Sequence, residues 1–130
     1  MPKPAIDLKR AKVLVTNDDG IHAPGIKLLE KITRKLAREI WVCAPENEQS
    51  AASHSLTLHQ PLRIRHVRGR HYAVSGTPTD SVLLALHHII QGPSPDLVLS
   101  GVNRGANLGE DITYSGTVAA AMEATLLRVP

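Results

Sequence analysis

Two adjacent carboxylates follow an apolar run near the start of the chain. Residues 13–20 read VLVTNDDG, so Asp18 and Asp19 stand where a buried strand would end. Two carboxylates supply negative charge and oxygen ligands without redox chemistry, and this combination suits a hard divalent cation. Asp-Gly is also a common turn dipeptide. From these residues alone, both a tight turn and a cation site remain open.

A second stretch, rich in glycine and asparagine, has the composition of an anion site. Residues 101–111 contain three glycines and two asparagines, and Ser115, Gly116 and Thr117 follow before a predicted helix over residues 118–127. Glycine lets a backbone approach a ligand closely, and the free N–H groups of a first helical turn favour phosphate. The stretch matches neither a Walker loop nor a dinucleotide fingerprint. A glycine-rich turn with ordinary helix capping is the structural alternative.

Strands and helices alternate along the chain in the order that builds a parallel sheet. Apolar spacing predicts strands over 13–16, 40–44 and 96–100, and helices over 26–39, 78–90 and 118–127. Parallel sheets hold ligands at the carboxyl ends of their strands. The aspartate pair and the glycine-rich stretch therefore both fall at the same edge of the predicted sheet.

Two local signals add detail to this α/β pattern. Thr77, Pro78 and Asp80 form a near-complete helix start, with a cap, a proline in the first turn and a capping carboxylate. Residues 61–74 alternate apolar and basic side chains around Gly69 and predict a β-hairpin whose arginines face solvent.

The composition is that of a single globular domain. The chain has 130 residues, 42% of them hydrophobic and 21% charged, which is enough for a real core. With one Trp, two Tyr and no Phe, few side chains are available for base stacking, so we expect no nucleic-acid polymer as partner. Without an evident signal or membrane span, we expect a cytoplasmic protein with no membrane partner. Cys43, the only cysteine, lies in a predicted buried strand and reads as an inert thiol.

Five motifs, in the same order, resemble the survival protein E (SurE) family. They occupy residues 15–25 (VTNDDGIHAPG), 44–57, 76–80 (GTPTD), 100–109 and 114–123 (YSGTVAAAME). The resemblance implies a Rossmann-like fold, which is an open, mainly parallel sheet with helices on both faces. It also implies a divalent-metal-dependent phosphatase that acts on nucleoside 5′- and 3′-monophosphates, a 5′/3′-nucleotidase.

The resemblance also assigns the site residue by residue. It implies that one divalent ion, Mg²⁺ or Mn²⁺, is held by Asp18, Asp19, Ser50 and Asn103. It implies that substrate phosphate is bound by Asn107, Ser115, Gly116 and Thr117. A metal-activated water would attack phosphorus, and Asp18 or Asp19 would accept its proton. An aspartyl-phosphate route is the less favoured rival, because the pair lacks the spaced Asp-x-Asp arrangement of that chemistry.

The resemblance extends from about residue 12 to residue 130, where family members continue into further strands. We therefore predict a flexible tail over residues 1–11 and a domain over residues 12–130 that lacks the family's carboxy-terminal region. Family members form dimers or tetramers, so a homo-oligomer is expected. A nucleotide- or metal-binding module without turnover is the alternative function.

Overall fold

A five-stranded sheet organises the part of the chain that the computed structural model describes, residues 5–48, 61–103 and 116–130. Its strands are β1 (Lys12–Thr16), β2 (Glu39–Pro45), β3 (Ile64–Arg68), β4 (His71–Val74) and β5 (Leu97–Ser100), in the spatial order β3-β4-β2-β1-β5. Strand β1 runs parallel to β2 and β5, and β2 runs parallel to β4. Four carboxyl ends therefore share one edge of the sheet, and the predicted open, mainly parallel sheet is confirmed.

Helices cover both faces of this sheet, as the α/β prediction required. They are α1 (Pro24–Arg34), α2 (Pro78–Leu84, continued by a π-helical turn over Ala85–Ile89) and α3 (Gly116–Leu126). Ile26 of α1 packs with Val13, Val15 and Val42 on one face. Side chains of α2 and α3 pack with Leu14, Trp41 and Val98 on the other. Strand β1 is buried along its whole length because it lies between these two layers.

The predicted hairpin and helix start are both confirmed. Strands β3 and β4 pair antiparallel. Thr77 and Asp80 close a reciprocal capping box, in which the N–H of Thr77 donates to Asp80 Oδ2 at 2.8 Å and the N–H of Asp80 to Thr77 Oγ1 at 3.1 Å. Ile64 is exposed in spite of the alternating pattern. It lies on the edge strand β3, where only Val67 is partly buried.

Two helix boundaries differ from prediction. Helix α1 ends at Arg34 and not at Glu39, because the N–H groups of Arg38 and Glu39 both donate to the carbonyl of Ala11 instead of continuing the helix. The apolar spacing of α1 predicts a buried stripe of Ile26, Leu29, Ile32 or Thr33, and Leu36. Ile26 and Thr33 are buried and Leu29 is partly buried, so this prediction is wrong only at Leu36, which is 49% exposed. Helix α3 begins at Gly116, two residues before the predicted start at 118.

The lengths of the helices and the first described residues bear on two further expectations, the membrane and the amino-terminal tail. Within the described residues, each helix is too short or too polar to cross a lipid bilayer. Leu8–Arg10 form a short 3-10 turn that is capped by Asp7. The division into a tail over residues 1–11 and a domain over 12–130 remains a prediction.

Candidate active site

The loop that follows β1 is held by its own asparagine. Asn17 Nδ2 donates to the carbonyl of Gly20 at 2.7 Å, and the N–H of Gly20 donates back to Asn17 Oδ1 at 3.2 Å. Gly20 has a φ of +105°, a conformation that glycine adopts without strain. The next N–H, that of Ile21, donates to the carbonyl of Pro45 at the end of β2. The chain thus does turn here, and the turn fixes both aspartates at the carboxyl edge.

Asp18 is a buried carboxylate with one oxygen that lacks a hydrogen-bond partner among the described residues. Its residue surface is 5% exposed, and its Oδ1 accepts no hydrogen bond within the described part of the chain. Burial raises the pKa of Asp18 above its ordinary value, and the neighbouring charges of Asp19 and Glu48 raise that pKa further. An orphaned carboxylate oxygen beside a second carboxylate is the donor set that a hard divalent cation requires. The residues present therefore fit such an ion.

The loop after β5 brings an amide to the same edge. The N–H of Gly101 donates to the carbonyl of Thr16 at 2.9 Å, which extends the pairing of β1 and β5 by one step. Asn103 then lines a cavity of about 210 Å³ together with Asp19 and the first turn of α1. A Cβ atom on Gly25 would lie 3.0 Å from the carbonyl carbon of Val102. The loop that carries Asn103 approaches α1 this closely only because residue 25 is glycine.

Helix α3 begins against the buried aspartate. A Cβ atom on Gly116 would lie 2.7 Å from Cγ of Asp18 and 3.0 Å from Cγ of Pro78. The hydroxyl of Ser100 donates to the carbonyl of Thr117 at 2.6 Å and so ties this helix start to the end of β5. The ends of β1 and β5 and the starts of α2 and α3 therefore meet at one place.

Within the described residues, no three His, Cys, Asp or Glu side chains are grouped so as to hold a metal ion. Among the described residues, the amide of Asn103 is the further oxygen ligand that the family resemblance assigns to a cation at this edge, besides the two carboxylates. The structure places Asp19 and Asn103 around one cavity, and it places Gly116 against Asp18. The predicted ligand Ser50 and the predicted phosphate residues Asn107 and Ser115 lie outside the described residues.

Sequence reasoning missed two hydroxyls at this edge. Thr16 ends β1 and Thr79 lies in the first turn of α2, and the Oγ1 atom of each is buried without a hydrogen-bond partner in the described region. The same holds for Oγ1 of Thr117, which was predicted. The GTPTD motif indicates a helix start and carries part of the family resemblance, and in the structure its Pro78 also lies next to Gly116. The available signals were Thr79 inside that motif and Thr16, which lies two residues before Asp18.

Comparisons with known proteins identify the family of this chain. The model of the family "Survival protein SurE" matches residues 13–130. The chain is 65% identical over 127 residues to a protein named 5′-nucleotidase SurE from Paramagnetospirillum magneticum, covering 98% of this chain and 49% of that protein. It is also 65% identical over 115 residues to a protein of the same name from Erythrobacter litoralis, covering 88% of this chain and 46% of that protein.

A solved structure shares the fold. The crystal structure of the SurE protein from Aquifex aeolicus superposes with a TM-score of 0.86 at 47% sequence identity. The superposition covers 92% of this chain and 48% of that one. The chain thus spans about half the length of the curated relatives that it matches.

Proposed function

Because the chain belongs to the survival protein SurE family, we propose that it supplies the metal- and phosphate-binding part of a divalent-metal-dependent nucleotidase. Its substrates would be nucleoside 5′- and 3′-monophosphates, which it would hydrolyse to nucleoside and phosphate. The observation that carries this proposal is Asp18, a buried carboxylate beside Asp19 at the carboxyl edge of a parallel sheet, with one oxygen that has no hydrogen-bond partner among the described residues. The names of the relatives support the choice of a nucleotide substrate.

The proposed ion is one Mg²⁺ or Mn²⁺ per site, held by Asp18, Asp19, Asn103 and Ser50. An all-oxygen set suits these hard cations better than Zn²⁺, which prefers nitrogen and sulfur. When bound, such an ion supplies Lewis-acid polarisation of a phosphoryl oxygen and lowers the pKa of a coordinated water. Oδ1 of Asp18 supports this assignment, since it has no hydrogen-bond partner in the part of the chain that the structure describes and a cation would supply one.

The proposed phosphate site is the start of α3. Gly116 and Thr117 begin the helix, where N–H groups lack partners within the helix and favour an anion. Thr117 Oγ1, buried without a partner among the described residues, adds a potential hydroxyl donor. Asn107 and Ser115 complete this proposed set. Because Gly116 lies against Asp18, a phosphate held here would be next to the two carboxylates.

The carboxylates are also the groups placed to move a proton. A raised pKa makes Asp18 a stronger base than an exposed aspartate, and Asp19 lines the neighbouring open cavity. We assign acceptance of the proton from the attacking water to this pair. The aspartyl-phosphate route is tested separately, because rapid acid quenching would trap phosphate on the protein only if that route operates.

The proposal extends to assembly and location. We propose a homodimer or homotetramer in the cytoplasm, which is what the resemblance to the family implies. A metal- or nucleotide-binding module without turnover is the second candidate, and the observation that favours it is that the chain spans about half the length of its relatives.

One assay separates the two candidates. Phosphate release from nucleoside 5′- and 3′-monophosphates is measured with Mn²⁺, and again with excess chelator. We expect release with Mn²⁺ and none with chelator, and we expect Asp19→Asn to abolish it. Asp7→Asn is the matched control, because Asp7 is exposed, caps a remote turn, and is replaced by an equally good cap. Binding of Mn²⁺ without phosphate release would favour the binding module.

A further inference from the structure

A basic cavity lies at the edge of the sheet opposite the candidate active site. It has a volume of about 560 Å³, within the range of small-molecule sites. Four arginines line it, Arg34, Arg38, Arg68 and Arg70, and none of its lining residues is acidic. They come from the end of α1, the segment before β2, and the β3–β4 turn. Elements distant in sequence therefore contribute arginines to the lining of one cavity.

The geometry of the sheet separates this cavity from the candidate active site. Ile40, at the amino end of β2, lies in the cavity lining, whereas Pro45, at the other end of β2, bonds to the loop that carries Asp18 and Asp19. At about 3.3 Å per residue, the two ends of this strand lie about 16 Å apart. The basic cavity is therefore a second site and not an extension of the first.

Two of the four positive charges are compensated by carboxylates and two are not. Arg34 Nη2 lies 3.3 Å from Glu30 Oε1, and Arg70 Nη2 lies 3.8 Å from Glu39 Oε1. In the described part of the chain, no ion pair involves Arg38 or Arg68. The lining therefore carries an excess of about two positive charges, which a dianion would balance. Guanidinium groups match the oxygens of phosphate with paired hydrogen bonds.

The rest of the lining supports an anion with an organic part. Ala37 and Ile40 are partly buried and give the cavity an apolar portion. His71 also lines it, and its Nδ1 is buried without a hydrogen-bond partner among the described residues. A neighbouring cavity of about 200 Å³ shares Arg68 and His71 and is also lined by Lys27. Glu30 also lines this smaller cavity, but the carboxylate of Glu30 is already in contact with Arg34 and His71.

From these observations we infer that the basic cavity binds a small phosphate-bearing dianion, with Arg38 and Arg68 as the principal contacts. This binding would not require the cation of the active site. It would weaken as salt is added, because the arginines are exposed. It does not rest on the proposed function, since it uses a different edge of the sheet and different residues.

Trp41 offers a local optical signal for this binding. It is the only tryptophan of the chain, and the guanidinium carbon of Arg70 lies 5.6 Å from the centroid of its ring. Because Arg70 lines the cavity and lies against the indole, we expect an anion bound beside Arg38 and Arg68 to change the electrostatic field at Trp41 more than a ligand bound at the far edge of the sheet. Fluorescence titration with inorganic pyrophosphate in excess chelator therefore reports on the basic cavity without the active-site cation.

The test compares two double variants of equal charge. Arg38→Gln with Arg68→Gln removes the uncompensated charges, whereas Arg10→Gln with Arg63→Gln removes two arginines outside the cavity. We expect a saturable fluorescence change in the original chain and in the control, and an affinity at least about tenfold weaker in the cavity variant. Circular dichroism verifies that both variants fold. No saturable change in the original chain, or equal affinities in both double variants, would overturn the inference.

A second ligand identifies the source of the dianion. Phenyl phosphate carries the same terminal group with an apolar ring, and in chelator the metal-dependent reaction cannot consume it. Tighter binding than inorganic phosphate, lost in the Arg38→Gln and Arg68→Gln variant, assigns the cavity to an organic phosphate. Equal binding of the two, lost in the same variant, assigns it to the inorganic ion.

Discussion

The buried carboxylate of Asp18 should make the metal-free protein less stable than it would be without that charge. The folded-state pKa of Asp18 lies above its ordinary value of 3.8 because of burial and the charges of Asp19 and Glu48. The folded state therefore binds the proton more tightly than the unfolded state does, and the free energy of unfolding falls as pH rises from 3.8 through the folded-state pKa. At pH 7, well above the ordinary value of 3.8, the folded chain carries this penalty, so Asp18→Asn should stabilise the metal-free chain.

The burial of Asp18 and the general energetic cost of buried unpaired groups give the expected size of this gain. A buried polar group without a partner costs about 1–3 kcal/mol, and the amide of asparagine keeps part of that cost while it removes the charge. We therefore expect Asp18→Asn to raise the free energy of unfolding by about 1 kcal/mol, or the Tm by roughly 3–5 °C. Urea denaturation in excess chelator at pH 7 measures it. The gain should shrink as the pH is lowered toward 4, because the carboxyl group of the original chain then becomes neutral.

Bound Mn²⁺ should reverse the relative stabilities of the original chain and its Asp18→Asn variant. A ligand at a hundred times its dissociation constant adds about 2.7 kcal/mol to the stability of the folded state. With saturating Mn²⁺, the original chain should therefore become more stable than Asp18→Asn. A variant that is no more stable than the original chain at pH 7 in chelator, or a gain that does not depend on pH, would refute the reasoning about Asp18.

Three further outcomes follow from packing. Gly116→Ala should cost about 1–3 kcal/mol of stability and reduce phosphate release, because its methyl group would press against Asp18; thermal melts and the phosphate assay measure the two effects. Glu30→Gln should cost about 1–3 kcal/mol in urea denaturation, since it weakens the buried contact to His71. Cys43 should resist thiol reagents until the chain unfolds, because burial raises the pKa of its thiol and denies access.

The elements that carry strong local signals could be predicted from the sequence. Residues 13–15 of strand β1 are a continuous apolar run, and the burial of this strand centre on both faces follows from that pattern. The capping box at Thr77 and Asp80 depends only on residues three positions apart, so it can also be predicted from the sequence. The position of Asp18 at the end of a strand also follows from the local sequence, because the apolar run stops just before it.

Features that depend on distant partners were not predictable. Glu30 reads as a solvated residue four positions before Arg34, yet it is buried against His71, which lies 41 residues later in the chain. No local pattern reveals that contact, because only the packing of α1 against β4 creates it. The hydroxyls of Thr16 and Thr79 were not predictable for the same reason. Among the described residues neither has a hydrogen-bond partner, and this depends on how the strands and helices around them pack.

The most direct test of the metal site is an equilibrium titration with Mn²⁺ followed by electron paramagnetic resonance, which measures the free ion. The chain is compared with its Asp18→Asn and Asp19→Asn variants, with Asp7→Asn as the control of equal charge. We predict one Mn²⁺ bound per chain in the original protein and in the control, and binding at least about tenfold weaker in both site variants. Unchanged affinity in Asp18→Asn and Asp19→Asn would contradict the assignment of this pair as metal ligands.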